Sequence, residues 1–124
     1  MPRPYVLIAE DYPDFRERLV ELLQPLGLEI VAVKDGEEAI TILQDMNQPI
    51  DLLITDLTMP RRNGWDVISI ARATRGEHLP IIMQTGEAVY YDVRWQAEGQ
   101  GVALLDKGYV TEKLLPMVKE RLGL

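Results

Sequence analysis

The sequence predicts an α/β fold in which five parallel strands form a doubly wound sheet flanked by five helices. Five short apolar runs alternate with segments of helical periodicity along the 124 residues, and this alternation is typical of a parallel sheet covered by helices on both faces. No repeat, low-complexity segment or linker interrupts the pattern. We therefore expect residues 1–124 to form one domain with the strand order 2-1-3-4-5.

Local signals place each element. The predicted strands are residues 6–9, 28–33, 52–55, 81–84 and 102–105. Leu28, Glu29 and Ile30 alternate in polarity, which favours an edge position for the second strand, and Gly27 is expected to end the helix before it. Helical spacing predicts these apolar faces for the five helices: Phe15, Leu19, Leu22, Leu23 and Leu26; Ala39, Leu43 and Met46; Val67, Ile68 and Ala71; Val89, Val93 and Ala97, in a helix from about Ala88 to Glu98; and Leu115, Val118 and Leu122.

Composition and charge limit the classes of function. The chain has 13 basic and 20 acidic residues, a formal net charge of −7, whereas binding to nucleic-acid phosphates needs a basic face. The absence of cysteine excludes disulfides and thiolate metal sites and suits a reducing compartment. No apolar stretch reaches membrane-spanning length, and the N-terminus has no signal-peptide core. We expect a cytoplasmic protein that binds neither nucleic acid nor membrane.

Polar residues follow four of the predicted strands, at the point where each strand ends. Glu10 and Asp11 follow the first strand, Asp56 the third, Thr85 the fourth and Lys107 the fifth. In a doubly wound sheet, ligands bind outside the carboxyl ends of the strands, near the point where the strand order reverses. We therefore expect three carboxylates, a hydroxyl and an ammonium group to meet in one pocket.

Three crowded carboxylates need a cation or a shared proton, because two charges about 4 Å apart interact by about 4 kcal/mol at an effective dielectric near 20. Oxygen ligands with open positions suit Mg²⁺, which completes its shell with water and phosphate oxygens. An ionised aspartate can accept a phosphoryl group, and a lysine can pair with the oxygens of that group. Taken alone, Asp11 would also suit a helix N-cap, but its combination with Asp56 favours the cation site.

The polar strand ends belong to a longer ordered pattern. It consists of Glu10-Asp11, the segment Asp56-Leu57-Thr58-Met59-Pro60 with Gly64 beyond it, Thr85 and Lys107. In its order and spacing this pattern resembles the receiver domain of two-component response regulators, and the similarity covers essentially the whole chain. The resemblance implies a flavodoxin-like sheet and a receiver of the single-domain type.

The resemblance also implies roles for individual residues. Asp56 would accept a phosphoryl group from a phosphohistidine of a sensor histidine kinase or phosphotransfer protein. The implied Mg²⁺ ligands are Glu10, Asp11, Asp56 and the backbone carbonyl of Thr58. Thr85 and Lys107 would read the phosphorylated state, and Thr58 and Glu87 would help to set its lifetime. The protein would catalyse only its own phosphorylation and dephosphorylation and would signal to an unknown protein target in a two-component system or phosphorelay. A shuttle or phosphate-sink role in a phosphorelay fits equally well, and a homodimer is an open alternative.

Three positions depart from the family pattern. Gly108 stands where a proline usually follows the lysine, Leu104 replaces an aromatic residue three positions before it, and Gly86 replaces the alanine after the threonine. We expect the phosphorylation chemistry to survive, because its own residues are intact. The usual coupling of threonine movement to rotation of the aromatic side chain cannot operate. We therefore expect these changes to affect how the phosphorylated state is signalled, and not the phosphorylation itself.

The fourth predicted helix carries Tyr90, Tyr91 and Trp95. Tyr91 and Trp95 are four residues apart and offset from the predicted buried stripe. We predict core packing for one of the three aromatic residues and an exposed Tyr91–Trp95 pair that docks a partner. Trp65 is expected to cover the sheet edge, and His78 to be solvated.

Other functions compete with this interpretation. A phosphorylation-independent interaction module, or adaptor, is favoured by Leu104 and Gly108 and opposed by the intact carboxylates and lysine. A Mg²⁺-dependent phosphatase of the haloacid dehalogenase type would need an aspartate at position 58, where the chain has threonine, and a cap insertion. A nucleotide-binding fold would need a Gly-rich loop after the first strand, which the sequence lacks.

Overall fold

The computed structural model describes residues 2–87 and 90–124. Within these ranges the strands are β1 (Tyr5–Ala9), β2 (Glu29–Val33), β3 (Leu52–Asp56), β4 (Ile81–Thr85) and β5 (Ala103–Asp106). All neighbouring strands are parallel, and their order in the sheet is β2-β1-β3-β4-β5. The predicted fold class and strand order are confirmed.

The helices of the described ranges are α1 (Pro13–Leu23), α2 (Gly36–Gln44), α3 (Gly64–Arg75), α4 (Tyr91–Gly99) and α5 (Val110–Leu122), with short 3-10 turns at Gln24–Leu26 and Lys107–Tyr109. Gly27 follows the first 3-10 turn with a φ of 65°, and glycine adopts this left-handed conformation at little cost. It therefore ends the helical segment as predicted. No helix in the two ranges is long and apolar enough to cross a membrane.

The sheet separates two hydrophobic clusters. The first lies beneath α2, α3 and α4 and contains Leu7, Leu53 and Met83 among others. The second lies beneath α1 and α5, and its strand residues include Ile8, Ile54, Ile82 and Leu105. The residues of β3 and β4 are buried throughout, whereas β2 has exposed positions, because central parallel strands are covered on both faces and an edge strand is not.

Some packing predictions are wrong at helix ends. Met46 is 61% exposed because α2 ends at Gln44, where the cap residue Asp45 has extended backbone. In α5 the fully buried leucine is Leu114. Leu115 and Leu122 are only partly buried against the cluster beneath α1 and α5.

The start of α4 also differs from the prediction. The helix begins at Tyr91, later than the predicted start at Ala88. Ala88 and Val89, which were assigned to this helix, lie outside the described residues. Trp65 is partly buried against the cluster beneath α2, α3 and α4, and His78 is exposed as predicted.

Two arginines in the last turn of α3 donate hydrogen bonds to the backbone at the amino-terminal end of the sheet. Arg72 donates to the backbone carbonyls of Gly76, Glu77, Leu79, Gln100 and Gly101. Arg75 donates to the backbone carbonyls of Ile42, Leu43, Asp45 and Gln48. These carbonyls lie at or beyond the ends of the helices, where the backbone lacks helical partners. The two side chains thus tie α2, α3 and α4 to the segments that enter β3, β4 and β5.

Candidate functional site

Four side chains stand in a row across the carboxyl end of the sheet, on the face covered by α1 and α5. In the order of strands β1, β3, β4 and β5, they are Glu10, Asp56, Gln84 and Lys107. Each lies two residues beyond a strand residue of the cluster beneath α1 and α5, and side chains two apart along a strand share a face. The sheet therefore makes neighbours of residues that are far apart in sequence, as predicted for Glu10, Asp56 and Lys107.

Lys107 joins the two buried carboxylates. Its Nζ donates to Glu10 Oε1 at 2.9 Å and to Asp56 Oδ2 at 2.8 Å. Glu10 is fully buried and Asp56 is 4% exposed, so salt and water screen these contacts little. The ammonium also lies 4.9 Å from the centroid of the Phe15 ring, within the range of a cation–π interaction. Together these contacts fix the lysine between the two acids.

Glu10, Asp11 and Asp56 each offer a carboxylate oxygen, and the three oxygens lie within 4.8 Å of one another. The alternative role of Asp11 as a helix cap is contradicted, because Tyr12 occupies the N-cap position of α1. Glu10 Oε2 is buried and has no hydrogen-bond partner among the described residues. Hard oxygen donors that include a buried, unpaired carboxylate atom fit Mg²⁺.

Burial and crowding shift the pKa values of the site. The pKa of Glu10 is raised, first by burial and then by hydrogen bonding and charge repulsion with Asp56, while Lys107 acts in the opposite direction. The pKa of Asp11 is raised by desolvation and by the neighbouring Glu10. Burial on its own lowers the pKa of Lys107, but its bonds to Asp56 and Glu10 outweigh burial, and the pKa is raised. The lysine is therefore a cation at neutral pH, and burial and crowding disfavour the charged forms of Glu10 and Asp11, a cost that a divalent cation would offset.

The loop after Asp56 is clamped by backbone contacts. Asp56 Oδ1 accepts the N–H of Leu57 at 2.8 Å, and the Gly64 N–H donates to the Leu57 carbonyl at 2.7 Å. A Cβ atom at Gly64 would overlap the Asp56 carbonyl oxygen, and one at Gly36 would overlap the Arg62 carbonyl oxygen. The starts of α2 and α3 therefore approach this loop too closely for any side chain at either glycine.

The two threonines of the pattern meet the turn after β4. The Glu87 N–H donates to Thr85 Oγ1 at 3.0 Å, and Thr58 Oγ1 donates to Glu87 Oε2 at 3.3 Å. Thr85 is 2% exposed, and the hydrogen bonds that the structure gives it do not include Asp56. The structure thus brings the three carboxylates and Lys107 together, whereas the two threonines share Glu87 as a partner.

A carboxylate replaces the missing proline as the organiser of the segment after Lys107. Asp106 Oδ1 accepts the N–H of Gly108 at 2.8 Å and caps the Lys107–Tyr109 turn. Leu104, at the position of the absent aromatic residue, is partly buried against the cluster beneath α2, α3 and α4. Neither departure from the family pattern prevents Lys107 from reaching Asp56.

The aromatic residues around the start of α4 are all exposed. The exposed fractions are 56% for Tyr90, 78% for Tyr91 and 69% for Trp95. The exposure of the Tyr91–Trp95 pair agrees with the prediction, whereas the predicted core packing of one of the three is wrong. The reason is that α4 buries Ala97 and turns its aromatic positions to solvent.

Two residues of the site were not predicted. Gln84 ends an apolar run and Phe15 belongs to the apolar face of a helix, so the sequence predicts no contact with Glu10 for the first or with Lys107 for the second. A glutamine at the end of the run Ile81-Ile82-Met83 was a usable signal, because a polar residue in a central strand must be buried. The contact of Phe15 with Lys107 had no such signal, since it depends on tertiary packing.

Comparison with known sequences identifies one family. The family model described as response regulator receiver domain matches residues 6–119. The DNA-binding response regulator MtrA of Mycolicibacterium smegmatis is 30% identical over 120 residues, which are 97% of this chain and 51% of that protein. The transcriptional regulatory protein CpxR of Escherichia coli is 34% identical over 87 residues, which are 70% of this chain and 35% of that protein. The chain thus spans about half the length of the first relative, and its match covers about a third of the second.

Solved structures of receiver domains share the fold. The receiver domain of the hybrid histidine kinase CckA is 30% identical, with a TM-score of 0.77 over 95% of this chain and 98% of that chain. The receiver domain of the sensor histidine kinase PA1611 from Pseudomonas aeruginosa PAO1 is 24% identical, with a TM-score of 0.84 over 99% of this chain and 100% of that chain, and it has a magnesium ion coordinated in its active-site cleft. With the family match over most of its length, the chain belongs to the response regulator receiver domains of two-component systems.

Proposed function

We propose that this chain is a phosphoacceptor switch. In this proposal, Asp56 takes a phosphoryl group from a phosphohistidine of a sensor histidine kinase or phosphotransfer protein, with Mg²⁺, and the protein then signals by contact with another protein. The observation that carries the proposal is the position of the Asp56 carboxylate, nearly buried, 2.8 Å from the Lys107 ammonium and beside two further carboxylates.

The acidic cluster supports a role for Mg²⁺. Glu10, Asp11 and Asp56 would hold the ion, and the backbone carbonyl of Thr58 is a further ligand implied by the family. When bound, Mg²⁺ would offset the negative charge of the carboxylates and of the incoming phosphoryl oxygens. The magnesium ion reported for the PA1611 receiver domain is consistent with this assignment.

The chemistry is a displacement at phosphorus. An Asp56 oxygen forms a bond to phosphorus, and the bond from phosphorus to the donor's imidazole nitrogen breaks. The nitrogen keeps the electron pair and takes a proton from solvent. Lys107 holds the Asp56 carboxylate in place before transfer and pairs with the phosphoryl oxygens after it. Thr85 accepts a hydrogen bond from Glu87, so its own hydroxyl proton is free to be donated to the same group.

The protein would catalyse only its own phosphorylation and dephosphorylation. Thr58 and Glu87, which are hydrogen-bonded at 3.3 Å beside the acceptor loop, would control how readily water reaches the aspartyl phosphate. The exposed Tyr91 and Trp95 provide apolar area of the kind found in protein interfaces. They would dock the downstream protein or, in a homodimer, a second copy of the chain.

The direct test is phosphorylation by a small donor. Wild type, Asp56→Asn and Asp51→Asn would be incubated with acetyl phosphate and Mg²⁺ and measured by intact mass. Asp51 lies at the opposite end of the sheet, where it accepts the N–H of Tyr5, so it serves as a matched control. We expect a gain of one phosphoryl group in wild type and Asp51→Asn, and none in Asp56→Asn or with EDTA. Stoichiometric uptake by folded Asp56→Asn would exclude Asp56 as the acceptor.

A second candidate function is an adaptor that acts without phosphorylation. The exposed aromatic pair on α4 and the leucine at position 104 favour it. The same experiment separates the two functions. A wild-type protein that is folded and binds Mg²⁺ but gains no phosphoryl group would support the adaptor.

A further inference from the structure

Gln84 is a buried polar side chain at the centre of the site. It has no exposed surface, and in the sheet register it is the β4 partner of Asp56. Its Nε2 lies 3.5 Å from Glu10 Oε1. Burial of a carboxamide is unfavourable unless its polar atoms are paired, so an apolar residue would fill this position at lower cost if packing were its only role.

The pairing between Gln84 and Glu10 is incomplete. Gln84 Oε1 and Glu10 Oε2 are both buried, and neither has a hydrogen-bond partner in residues 2–87 and 90–124. The 3.5 Å separation of Gln84 Nε2 from Glu10 Oε1 is long for a hydrogen bond. The carboxamide is thus aimed at a carboxylate oxygen to which Lys107 already donates at 2.9 Å.

The lysine is the donor that the proposed function removes. When Lys107 turns to the oxygens of a phosphoryl group, Glu10 Oε1 loses its charge-assisted bond. Across the described part of the chain, Gln84 is the other side chain that donates to the Glu10 carboxylate. A buried carboxylate left without a donor is strongly destabilised, so the nearby carboxamide has a role at that moment.

We propose that Gln84 is a positioning residue for Glu10. Its carboxamide orients the buried carboxylate toward Mg²⁺ and keeps it paired when Lys107 moves to the phosphoryl group. The inference depends on the proposed function for the identity of the ion and of the group that attracts the lysine. Partners that orient metal ligands from behind affect metal affinity about 10- to 100-fold.

The test measures Mg²⁺ binding without any phosphodonor. Gln84→Met keeps the length of the side chain and removes both polar atoms, and Gln84→Leu gives a second apolar replacement with a different shape. Gln96→Met, on the exposed surface of α4, is the matched control. Isothermal titration calorimetry with MgCl₂ at neutral pH should show a dissociation constant about 10-fold higher for both Gln84 variants, at the lower end of the known range because the contact is long. Gln96→Met should bind as wild type.

A role in packing alone gives a different result. If Gln84 only fills space, Gln84→Met binds Mg²⁺ as wild type does and unfolds at higher denaturant, because an unpaired buried carbonyl has been removed. That outcome would overturn the proposal. Combination with Glu10→Gln adds a further check, since the Gln84 substitution should lose its effect on Mg²⁺ affinity once the carboxylate is gone. Additive losses in the double variant would count against a role through Glu10.

The inference and the proposed function fail in different ways. A wild-type protein that does not bind Mg²⁺ would overturn both. A wild-type protein that binds Mg²⁺ and accepts a phosphoryl group, together with Gln84 variants of unchanged Mg²⁺ affinity, would overturn only the role of Gln84.

Discussion

The two ends of the sheet differ in how their polar groups are paired. At the amino-terminal end, Arg72 and Arg75 donate to backbone carbonyls of the loops and helix ends around them. At the carboxyl end, three carboxylates lie together and two of them, Glu10 and Asp56, share the Lys107 ammonium, and within residues 2–87 and 90–124 Glu10 and Gln84 keep unpaired buried oxygens. One end is a hydrogen-bond network between arginines and carbonyls, and the other is an arrangement that the proposed Mg²⁺ and phosphoryl group would complete.

This difference indicates where the fold gains its stability and where it gives some of it up. Paired polar groups in a partly buried position stabilise the folded chain, whereas like charges held together destabilise it until a ligand binds. Substitutions at the two ends of the sheet should therefore change the free energy of unfolding in opposite directions. At the arginine end they should lower the free energy of unfolding, and at the acidic end the removal of a charge should raise it.

The largest effect on stability is expected at the amino-terminal end. Arg75→Met keeps the apolar stem of the side chain but leaves the carbonyls of Ile42, Leu43, Asp45 and Gln48 without their side-chain donor. We expect the free energy of unfolding to fall by about 2 kcal/mol, because the partly buried carbonyls of Leu43 and Gln48 lose a charged donor, whereas those of Ile42 and Asp45 keep a backbone donor. Urea denaturation followed by circular dichroism measures it. The control, Arg94→Met on the exposed surface of α4, should stay within about 0.5 kcal/mol of wild type, and an equal loss in both variants would contradict the comparison.

A smaller effect of opposite sign is expected at Asp56. Without Mg²⁺, Asp56→Asn relieves carboxylate repulsion but weakens the bond to Lys107, so we expect a net gain in unfolding free energy of about 1 kcal/mol, the scale of one favourable charge contact. Asp51→Asn, at the other end of the sheet, should give no gain. Saturating MgCl₂ should reverse the order, because a ligand at 100 times its dissociation constant stabilises wild type by about 2.7 kcal/mol. A loss of stability in metal-free Asp56→Asn would show that the ion pair outweighs the repulsion.

The smallest effect is the pH dependence of the free energy of unfolding. It arises at the carboxyl end of the sheet and does not involve the amino-terminal end. Folding raises the pKa of Glu10 and of Asp11, so between the unfolded and folded pKa values the folded state binds more protons. The free energy of unfolding therefore falls as the pH rises through this window, and the unfavourable contribution is complete above the folded pKa. In metal-free buffer, Glu10→Gln should be more stable than wild type at neutral pH, and this difference should shrink as the pH approaches 4.5, the ordinary value for a glutamate. Chemical denaturation across this pH range measures it, and a difference that grew on acidification would show the opposite shift.

The arrangement of the strands and the acidic cluster could be predicted from the sequence because both follow from short-range patterns. Apolar runs fix the strands, and parallel pairing brings their ends to one edge. Glu10, Asp56 and Lys107 therefore had to be close once the strand order was known. The exposed Tyr91–Trp95 pair followed from helical spacing in the same way.

The other features could not be predicted, because they depend on tertiary contacts that the spacing of residues in the sequence does not determine. Arg72 and Arg75 look like ordinary charged residues at a helix end, and only the assembled loops show which carbonyls they reach. Gln84 was assigned to its strand correctly, but its direction toward Glu10 follows from the sheet register. Met46 is predicted to lie on the buried face of α2, but the helix ends at Gln44, before it reaches this residue.

Gly36 and Gly64 have a consequence for how this protein can be altered. Because neither position has room for a Cβ atom, the path of the chain after Asp56 is set by backbone meeting backbone. Side chains of the loop add to this, since Leu57 and Met59 are buried in the cluster beneath α2, α3 and α4 and Arg61 pairs with Asp35 and Glu37. A combinatorial library that keeps both glycines, Arg61 and the two buried side chains, and varies exposed positions such as Arg62, would therefore present new surfaces to partner proteins on an unchanged frame.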